Sequence, residues 1–384
     1  MKKIFRVAYA TGSRADYGIV RKYLQYLDMD KEIEFSVLVT GSHLEKKYGY
    51  SIDNIKKDNF KIGCEISIEI DNSNNANIMK SMAIALEKFG SFFEKNKYDL
   101  LIILGDRYEM LSVAIAASMQ NIPILHLHGG ETTYGNYDEF IRHSITKMSR
   151  YHFTSTDVYR KRVIQLGEEP QRVFYLGALG AENCRNLDCG KVVKEVLNMT
   201  QKKYWVIAFH PETLTDINIE SQIQEIIFAI NNMINNEEIV FIGSNADTNS
   251  DVIRNAWIMY ANMHENAHYF ENLNVESFLW LVKNSVAFVG NSSSGIIEVP
   301  SLGVYTINIG DRQKGRVHGE SVIDVKCNKD SIILAMKKVK YLLNKGYSFK
   351  NPYYLENTAE RYYHQTKQLL RLGVSDVKEF YDIE

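Results

Sequence analysis

Short, almost continuous apolar runs alternate with longer amphipathic segments along the first half of the chain, and this alternation restricts the possible folds. The runs are Ile4–Ala10, Phe35–Val39, Leu100–Leu104 and Ile122–Leu127. Such runs are typical of strands that are buried on both faces of a parallel sheet. Between them, residues 77–96 repeat apolar side chains every three or four positions, as an amphipathic helix does. Strand–helix alternation of this kind predicts right-handed crossovers and a doubly wound α/β domain.

The same alternation begins again after a break near residue 177. The second set of predicted strands is Tyr204–Phe209, Ile239–Ile242, Val286–Val289 and Tyr305–Ile309. With 384 residues, the chain exceeds the roughly 250–300 at which one hydrophobic core stops growing. We therefore expect two Rossmann-like, doubly wound α/β domains, residues 1–176 and 177–354, with a ligand-binding cleft between them. The remaining segment, 355–384, contains a helical pattern that can pack against either domain.

Charge and cysteine content argue against several other classes of protein. The 45 basic and 47 acidic residues give a formal net charge of −2, so nothing indicates a nucleic-acid or membrane-surface binder. Arg6 interrupts the apolar N-terminal run too early for a signal peptide, and no later run approaches the ~18 apolar residues of a membrane helix. Four scattered cysteines, Cys64, Cys184, Cys189 and Cys327, indicate free thiols rather than a disulfide framework. We expect a soluble, cytoplasmic protein.

Polar clusters follow the predicted strands at the ends where open parallel sheets bind their ligands. They are TGSRAD (Thr11–Asp16), TGSH (Thr40–His43), GDR (Gly105–Arg107), HLHGGE (His126–Glu131), HPET (His210–Thr213) and GNSSSG (Gly290–Gly295). One such cluster is explained equally well by helix capping, because Ser, Thr and Asp are favoured at helix N-termini. Six clusters around one cleft indicate a binding site.

The basic and hydroxyl side chains of these clusters suit a nucleotide or another polyphosphate. GNSSSG precedes a predicted helix at Ile296–Leu302. Its N–H groups and hydroxyls, together with the helix dipole, can hold a diphosphate. The alternative is that the turn only caps the start of the helix. Three arginines lie in glycine-containing turns, where the planar guanidinium can bind phosphate: Arg14, Arg107 and Arg312. Arg107 can instead pair with an acidic neighbour. His210, fixed before a proline at a strand end, is a further phosphate donor or a structural histidine.

The acidic side chains of the clusters suit proton transfer. Three carboxylates follow predicted strands or begin a predicted helix: Asp106, Glu131 and Asp138. Carboxylates that lie together in a cleft can act as general acid and general base. The alternative is helix capping, especially for Asp138, or ion pairing with arginine. Glu298 can bind the diol of a ribose, or it can lie in solvent on its helix.

Two histidines complete the candidate acid/base set. His126 and His128 alternate with Leu127, so both are expected on one face of their strand. With Asp106 they are conceivable metal ligands, but the set has no clear spacing for a third ligand, and acid–base use is favoured.

These strings, in this order, resemble the bacterial hydrolysing UDP-N-acetylglucosamine 2-epimerases of sialic-acid biosynthesis. The matching strings are GSRADYG, GDRYE, HGGE followed by DEFIRHSITKMSRYHF, HPET, GNSSSGIIEVPSLG and GDRQKGR, which span residue 6 to about residue 320. The resemblance implies a GT-B-like fold whose C-terminal helix, within 355–384, crosses back to the N-terminal domain. That domain would take the sugar, and the C-terminal domain would bind UDP.

The resemblance also implies a reaction that needs no cofactor. UDP-N-acetylglucosamine loses UDP by anti elimination, and water adds to the resulting glycal to release N-acetylmannosamine for sialic acid and capsule polysaccharide. The implied positions are Asp106 and Asp138 for acid/base catalysis, Glu131 at the end of the GGE string, Arg14, His210, Ser292 and Ser293 for diphosphate binding, Glu298 for ribose binding, and Arg107 and Arg312 for further substrate contacts. His128 stands where many members carry Glu, so the group that handles the carbon 2 proton stays open. A homodimer or homotetramer is also implied.

Three other functions stay open. The same chemistry can act on a UDP-2,4-diacetamido-6-deoxy sugar, because the sequence does not define the sugar pocket. A GT-B glycosyltransferase would use the same nucleotide cleft, but it would need an acceptor pocket rather than the three carboxylates. A nucleotide-sugar sensor would bind its ligand without turnover.

Overall fold

A computed structural model describes residues 3–134, 136–185, 187–212, 218–234, 236–243, 250–271, 273–346, 349–373 and 377–383. The chain divides into two compact units. Unit 1 comprises Met1–Glu131, Asp138–Glu182 and Leu355–Glu384, and unit 2 comprises Thr132–Tyr137 and Asn183–Tyr354. Thr213 of the predicted HPET string and the side chain of Cys189 lie outside the described residues.

Each unit contains a parallel sheet. In the described residues of unit 1, the strands are β1 (Phe5–Thr11), β2 (Ile33–Thr40), β3 (Ile62–Ile66), β4 (Leu100–Leu104), β5 (Ile124–Leu127), β6 (Tyr151–Thr154) and β7 (Val173–Tyr175). In those of unit 2, they are β8 (Tyr204–Ala208), β9 (Glu238–Ile242), β10 (Ala267–Phe270), β11 (Phe288–Gly290), β12 (Thr306–Ile309) and β13 (Val322–Val325). The strand orders are β3-β2-β1-β4-β5-β6-β7 and β10-β9-β8-β11-β12-β13.

Helices connect the strands in both units. Those of the described residues are α1 (Arg14–Asp28), α2 (Ile52–Lys57), α3 (Asn75–Lys95), α4 (Tyr108–Met119), α5 (Asp138–Met148), α6 (Asp157–Gln165), α7 (Leu179–Asn183), α8 (Lys194–Met199), α9 (Ile219–Met233), α10 (Ser250–Met263), α11 (Val275–Lys283), α12 (Ser294–Ile297), α13 (Lys329–Leu343) and α14 (Thr358–Leu372). Within the described ranges, no helix has both the length and the apolar character that a bilayer span requires.

The sheet of unit 1 is buried because its central strands carry apolar side chains on both faces. All five residues of β4 are buried, which is the pattern of a strand covered by helices on both sides. Helix α1 buries one stripe that includes Val20 and Leu24, and Ser13 caps its start by accepting a hydrogen bond from Asp16 N. Helix α14 packs on α1, where the Tyr23 hydroxyl lies 2.7 Å from Thr366 Oγ1.

Unit 2 buries its sheet in the same way. Every residue of β8 is buried, and the core on one face includes a stacked pair, Phe241 and Trp257, with ring centroids 4.6 Å apart. The core on the other face includes Phe288 and Val299. Two doubly wound parallel α/β units are therefore present, and the predicted fold class is confirmed.

The boundaries of the units differ in two places from the predicted division at 176/177. Unit 2 begins at Asn183, and it also takes the segment Thr132–Tyr137, which comes before α5 in the chain. Contacts inside unit 2 explain this assignment, because Arg316 Nε donates to Thr132 O at 2.9 Å. In addition, the Cα of Gly315 lies against the Tyr134 ring. Such contacts join residues far apart in sequence, and apolar periodicity carries no signal for them.

In each sheet the strand order reverses direction once. The reversal lies between β1 and β4 in unit 1 and between β8 and β11 in unit 2. At such a point the two loops after neighbouring strands lead away from each other, and ligands of doubly wound sheets bind in the crevice that results. The residues that follow β1, β4, β8 and β11 are therefore the ones to examine.

Candidate active site

The loop after β1 is held against the neighbouring strand ends of unit 1. Ser42 N and Ser42 Oγ both lie within hydrogen-bond distance of Gly12 O, at 2.8 and 3.0 Å. His43 is buried between Thr11 Oγ1, 3.0 Å from its Nε2, and Ser51 Oγ, 2.8 Å from its Nδ1. Burial lowers the pKa of His43 to about 3, so the ring stays neutral. This loop presents Arg14, which begins α1 and is half-buried.

A buried carboxylate fixes the turn between β4 and α4. Glu109 is fully buried, and its Oε1 accepts a hydrogen bond from Arg107 Nε at 2.5 Å. The same oxygen would lie 2.3 Å from a Cβ at position 12, so only glycine fits there. Of the two readings for Arg107, the ion pair with an acidic neighbour is present.

Asp106 forms an ion pair with Arg142, which is 1% exposed. The same guanidinium reaches Glu139 Oε2 at 3.2 Å and donates to Glu131 O at 2.8 Å. One buried cation therefore joins the β4 turn, the β5 turn and the first turn of α5. Asp138 begins that helix and so lies in the same region of unit 1.

His126 holds a different position from the one expected. Its Nε2 lies 2.7 Å from Gly105 O and its Nδ1 lies 3.1 Å from Thr146 Oγ1, so both ring nitrogens are used inside the protein. Burial lowers the pKa of His126 to about 3 despite the bond to the carbonyl, so the ring is neutral and donates through Nε2. His126 thus joins β5 to the β4 turn and to α5. No set of three or more metal-ligating side chains lies together in the described ranges.

His128 lies beyond the end of β5, which ends at Leu127. Its backbone has φ 64°, in the left-handed region, and its N–H donates to Phe153 O at 2.8 Å. The strand alternation from which a shared face was expected therefore does not extend to His128. His128 Nδ1 lies 3.4 Å from Glu131 Oε1, and both residues are buried.

In unit 2, Asn291 connects the loops after β8 and β11. Its Oδ1 accepts from His210 N at 2.7 Å, and its Nδ2 donates to His210 O at 2.8 Å. The preceding Gly290 has φ 140°, and a Cβ there would lie 1.9 Å from Ala208 O, so only glycine allows the two loops to approach so closely. His210 itself is buried, with 7% of its surface exposed.

The loop after β12 joins the same cluster. Arg312 Nη1 and Gln313 Nε2 donate to Asn291 O at 3.1 and 2.8 Å. The carboxylate of Glu212 accepts from the backbone N–H groups of Asp311 and Arg312, at 3.0 and 3.3 Å. Burial raises the pKa of Glu212 although these two bonds oppose it. Three strand ends of unit 2 are thus tied together around one buried asparagine.

The GNSSSG turn leads into a shorter helix than expected. Helix α12 is four residues long, and a 3₁₀ turn, Val299–Leu302, follows it in place of a continuous helix. Pro300 explains the difference, because proline has no N–H to donate to the carbonyl four residues earlier. A helix this short has little dipole, so any anion at the half-buried Ser292 and Ser293 would depend on hydroxyl and N–H groups instead. Glu298, at the end of α12, is buried rather than solvated.

Sequence reasoning missed several residues that hold these clusters together. The sequence motifs do not single out Arg142, Glu109 or Asn291 as candidate site residues. A signal existed for Arg142, which lies four residues after Asp138 and therefore on the same face of the predicted helix. For Asn291 the signal is its position, because it is an asparagine directly after the glycine that ends a strand.

The fold and the two clusters define a two-domain α/β protein with an ion-paired carboxylate cluster in one unit and a cluster of basic and hydroxyl side chains in the other. The model of one protein family, UDP-N-acetylglucosamine 2-epimerase, matches residues 25–366. The chain therefore belongs to the UDP-N-acetylglucosamine 2-epimerase family.

Individual relatives agree with this membership. The chain is 47% identical over 389 residues to polysialic acid biosynthesis protein P7 of Escherichia coli, covering 100% of this chain and 98% of that protein. It is 38% identical over 328 residues to GDP/UDP-N,N'-diacetylbacillosamine 2-epimerase (hydrolyzing) of Campylobacter jejuni, covering 84% and 85% of the two chains. The crystal structure of UDP-GlcNAc 2-epimerase from Methanocaldococcus jannaschii in complex with UDP-GlcNAc and UDP aligns with a TM-score of 0.79 at 19% identity, covering 94% of this chain and 99% of that one. At this identity the likeness shows the fold, and it confirms the GT-B-like fold class.

Proposed function

We propose that this protein is a hydrolysing UDP-N-acetylglucosamine 2-epimerase, which converts UDP-N-acetylglucosamine and water into N-acetylmannosamine and UDP for sialic acid and capsule polysaccharide. The observation that carries the proposal is the acid/base cluster of unit 1, where the ion-paired Asp106 lies with the His128–Glu131 pair at adjacent strand ends. A protein that only binds or transfers a nucleotide sugar has no use for such a set. Two relatives support the same conclusion by their names: one is a protein of polysialic acid biosynthesis, and the other is a hydrolysing epimerase.

The chemistry requires acid/base groups because the carbon 2 hydrogen is not beside a carbonyl. Departure of UDP first builds oxocarbenium character at carbon 1, which acidifies this hydrogen. A base then removes it, giving the glycal, and water adds back with a proton delivered to the other face of carbon 2. Positioned acid/base groups contribute about 10²–10⁴-fold to such steps. We assign them to Asp106, Asp138, His128 and Glu131 of unit 1.

The leaving diphosphate needs positive charge and hydrogen-bond donors. We assign its binding in unit 2 to His210, Ser292 and Ser293, with Arg312 as a further substrate contact. From unit 1, Arg14 would contact the diphosphate and Arg107 the substrate. The assignment is supported by the hydrogen bonds that join the loops carrying His210 and Arg312 through Asn291. Glu298 would accept from the ribose hydroxyls, since a carboxylate is acceptor-only.

A second candidate substrate is favoured by one observation. The 38% identical relative is named for N,N'-diacetylbacillosamine, a 2,4-diacetamido sugar, so the same chemistry on the UDP derivative of such a sugar is the alternative.

The test incubates the purified protein with UDP-N-acetylglucosamine and no acceptor, and follows the sugar by ¹H and ³¹P NMR. Free N-acetylmannosamine and UDP are the expected products. UDP-N-acetylmannosamine would instead identify a non-hydrolysing epimerase, and an intact substrate would contradict both. A parallel incubation with UDP-N,N'-diacetylbacillosamine decides between the two sugars, because only the true substrate should be consumed at micromolar enzyme.

We also infer that the enzyme is a cytoplasmic homodimer or homotetramer, an inference that depends on the family resemblance. The cysteines Cys64, Cys184 and Cys327 are free, which suits a reducing compartment. Light scattering after size exclusion tests the assembly, and a mass near the 44.2 kDa of one chain would contradict it.

A further inference from the structure

Three buried histidine ring nitrogens in the described part of unit 1 have no hydrogen-bond partner: Nε2 of His128 and Nδ1 of His143 and His152. Of the three, only His128 lies in the turn directly after β5, and its side chain is 9% exposed. A buried polar atom without a partner costs about 1–3 kcal/mol. Such atoms are rare in folded proteins, and each asks for an explanation such as a ligand that supplies the missing partner.

The other nitrogen of the same ring faces a carboxylate. His128 Nδ1 lies 3.4 Å from Glu131 Oε1, and that oxygen also accepts a hydrogen bond from Ser155 Oγ at 2.6 Å. Ser155 therefore fixes the carboxylate, and the carboxylate orients the ring with its proton on Nδ1 and its lone pair on Nε2.

The backbone adds a second sign of function at this position. His128 adopts φ 64°, a conformation that side-chain-bearing residues rarely take. Its N–H is bound to Phe153 O, and the following Gly130, at φ 79°, packs so closely on Tyr159 O that a Cβ would lie 2.6 Å from it. The turn is thus held in a strained shape, which is typical of functional sites.

The carboxylates around His128 are occupied by protein partners. Asp106 forms its ion pair with Arg142, and Glu139 pairs with Arg142 and with His143 Nε2 at 3.2 Å. An opposite charge favours the charged form of a carboxylate and makes it a weaker proton acceptor. The ion pairs thus weaken these two carboxylates as bases, whereas no hydrogen-bond donor competes for the lone pair of His128 Nε2 in the described residues.

We propose that His128 Nε2 removes the carbon 2 proton of the sugar nucleotide and that Glu131 is a positioning residue, which holds the ring and stabilises its protonated form. The proposal rests on the proposed function. As the C2–H bond breaks, its electron pair forms the C1=C2 double bond and the C1–O electron pair leaves with UDP. The proton then sits on Nε2.

The second half of the reaction balances the protons. Water supplies hydroxide to carbon 1 and gives its proton to a carboxylate of the site, while an acid on the opposite face protonates carbon 2. His128 and the carboxylate that took the water proton each lose a proton to solvent, and the acid regains one, before the next turnover, so that one proton is released with UDP. Inversion at carbon 2 follows because different groups remove and deliver the proton.

The test compares His128→Asn, His128→Glu and Glu131→Gln with the wild type, using turnover of UDP-N-acetylglucosamine from pH 4.5 to pH 9 and the dissociation constant of UDP. Asparagine tolerates the left-handed backbone but is not a base, so we expect turnover to fall about 10²–10⁴-fold with UDP binding unchanged. Glutamate is also a base, so His128→Glu should recover turnover relative to His128→Asn. Glu131→Gln should lose less turnover than His128→Asn does. The control His364→Gln, in an exposed part of α14, should match the wild type.

Two results would overturn the assignment: His128→Asn within tenfold of the wild type, or His128→Glu no more active than His128→Asn. The dissociation constant of UDP shows that each variant is folded, so a misfolded mutant is recognised as such. A wild type that never consumes UDP-N-acetylglucosamine would contradict the proposed function itself, which is a distinct outcome.

Discussion

Replacement of Arg142 by methionine should destabilise unit 1 more than any exposed arginine replacement. Arg142 is 1% exposed and binds three acceptors, the carboxylates of Asp106 and Glu139 and the carbonyl of Glu131. Methionine fills a similar volume but donates no hydrogen bond. The variant therefore leaves two carboxylates without their common cation in a partly buried site.

The expected magnitude follows from the burial of the partners. Breaking a fully buried ion pair by removing one side costs about 3–5 kcal/mol. The side chains of Asp106 and Glu139 are 23% and 21% exposed, so water reaches them and reduces the loss. We expect about 2–3 kcal/mol, which for a unit of this size lowers the melting temperature by about 4–12 °C.

Thermal melting followed by circular dichroism, without ligand at pH 7, measures this change. Arg142→Lys keeps the charge but cannot bridge three acceptors, so it should melt between the wild type and the methionine variant. Arg371→Met is the matched control, because Arg371 is 59% exposed in its pair with Glu32 and should have no measurable effect. If Arg142→Met melts within 2 °C of the wild type, the cluster is not held together by this cation.

Three other perturbations test separate parts of the molecule. Asp106→Asn should abolish turnover and leave the dissociation constant of UDP largely unchanged by calorimetry, and near-normal turnover would contradict its catalytic role. Ser293→Ala should weaken UDP binding about 2- to 12-fold, the loss of one hydrogen bond of about 0.5–1.5 kcal/mol, and an unchanged constant would remove it from the diphosphate site. The hydrogen bond between His318 and Asp324, at 3.0 Å, raises the pKa of His318 and lowers that of Asp324. The pair is therefore charged on both sides between about pH 4 and pH 6.5, so His318→Gln should lower the melting temperature slightly there and not above pH 8, as a pH series of melts would reveal.

Most strands in the middle of each sheet could be predicted from the sequence, whereas the edge strands and the interior strand β6 could not. The sequence of β6, YHFT, alternates polar and aromatic residues and so is not a continuous apolar run. The run Leu100–Leu104 coincides with β4, because a strand buried on both faces needs apolar residues throughout. The four edge strands β3, β7, β10 and β13 were not predicted. They are only partly buried and so carry no continuous apolar run; β3, for example, has the sequence IGCEI and no fully buried residue.

The candidate site could be predicted as a set of strand ends but not as a set of contacts. Parallel topology brings the ends of β1, β4 and β5 to one edge, so the polar strings after them had to lie near each other. The pairs inside the clusters join positions far apart in sequence, such as Asp106 with Arg142 and His210 with Asn291. Side-chain geometry decides these pairs. His126 and His128 illustrate the point. They are two residues apart, yet both ring nitrogens of His126 are bonded inside the protein, whereas Nε2 of His128 is buried without a partner among the described residues.

Many polar side chains at these strand ends bind the neighbouring loop. Asn291 holds both backbone groups of His210, Arg312 and Gln313 hold Asn291 O, and His126 lies against Gly105 O. Buried backbone groups need partners, and loops that leave a sheet at its reversal point have no strand to supply them. The side chains that complete the loops are therefore as necessary for activity as those that contact substrate. Lost activity on its own does not separate the two roles; a pH profile does, because only a group that exchanges a proton with substrate moves its limbs.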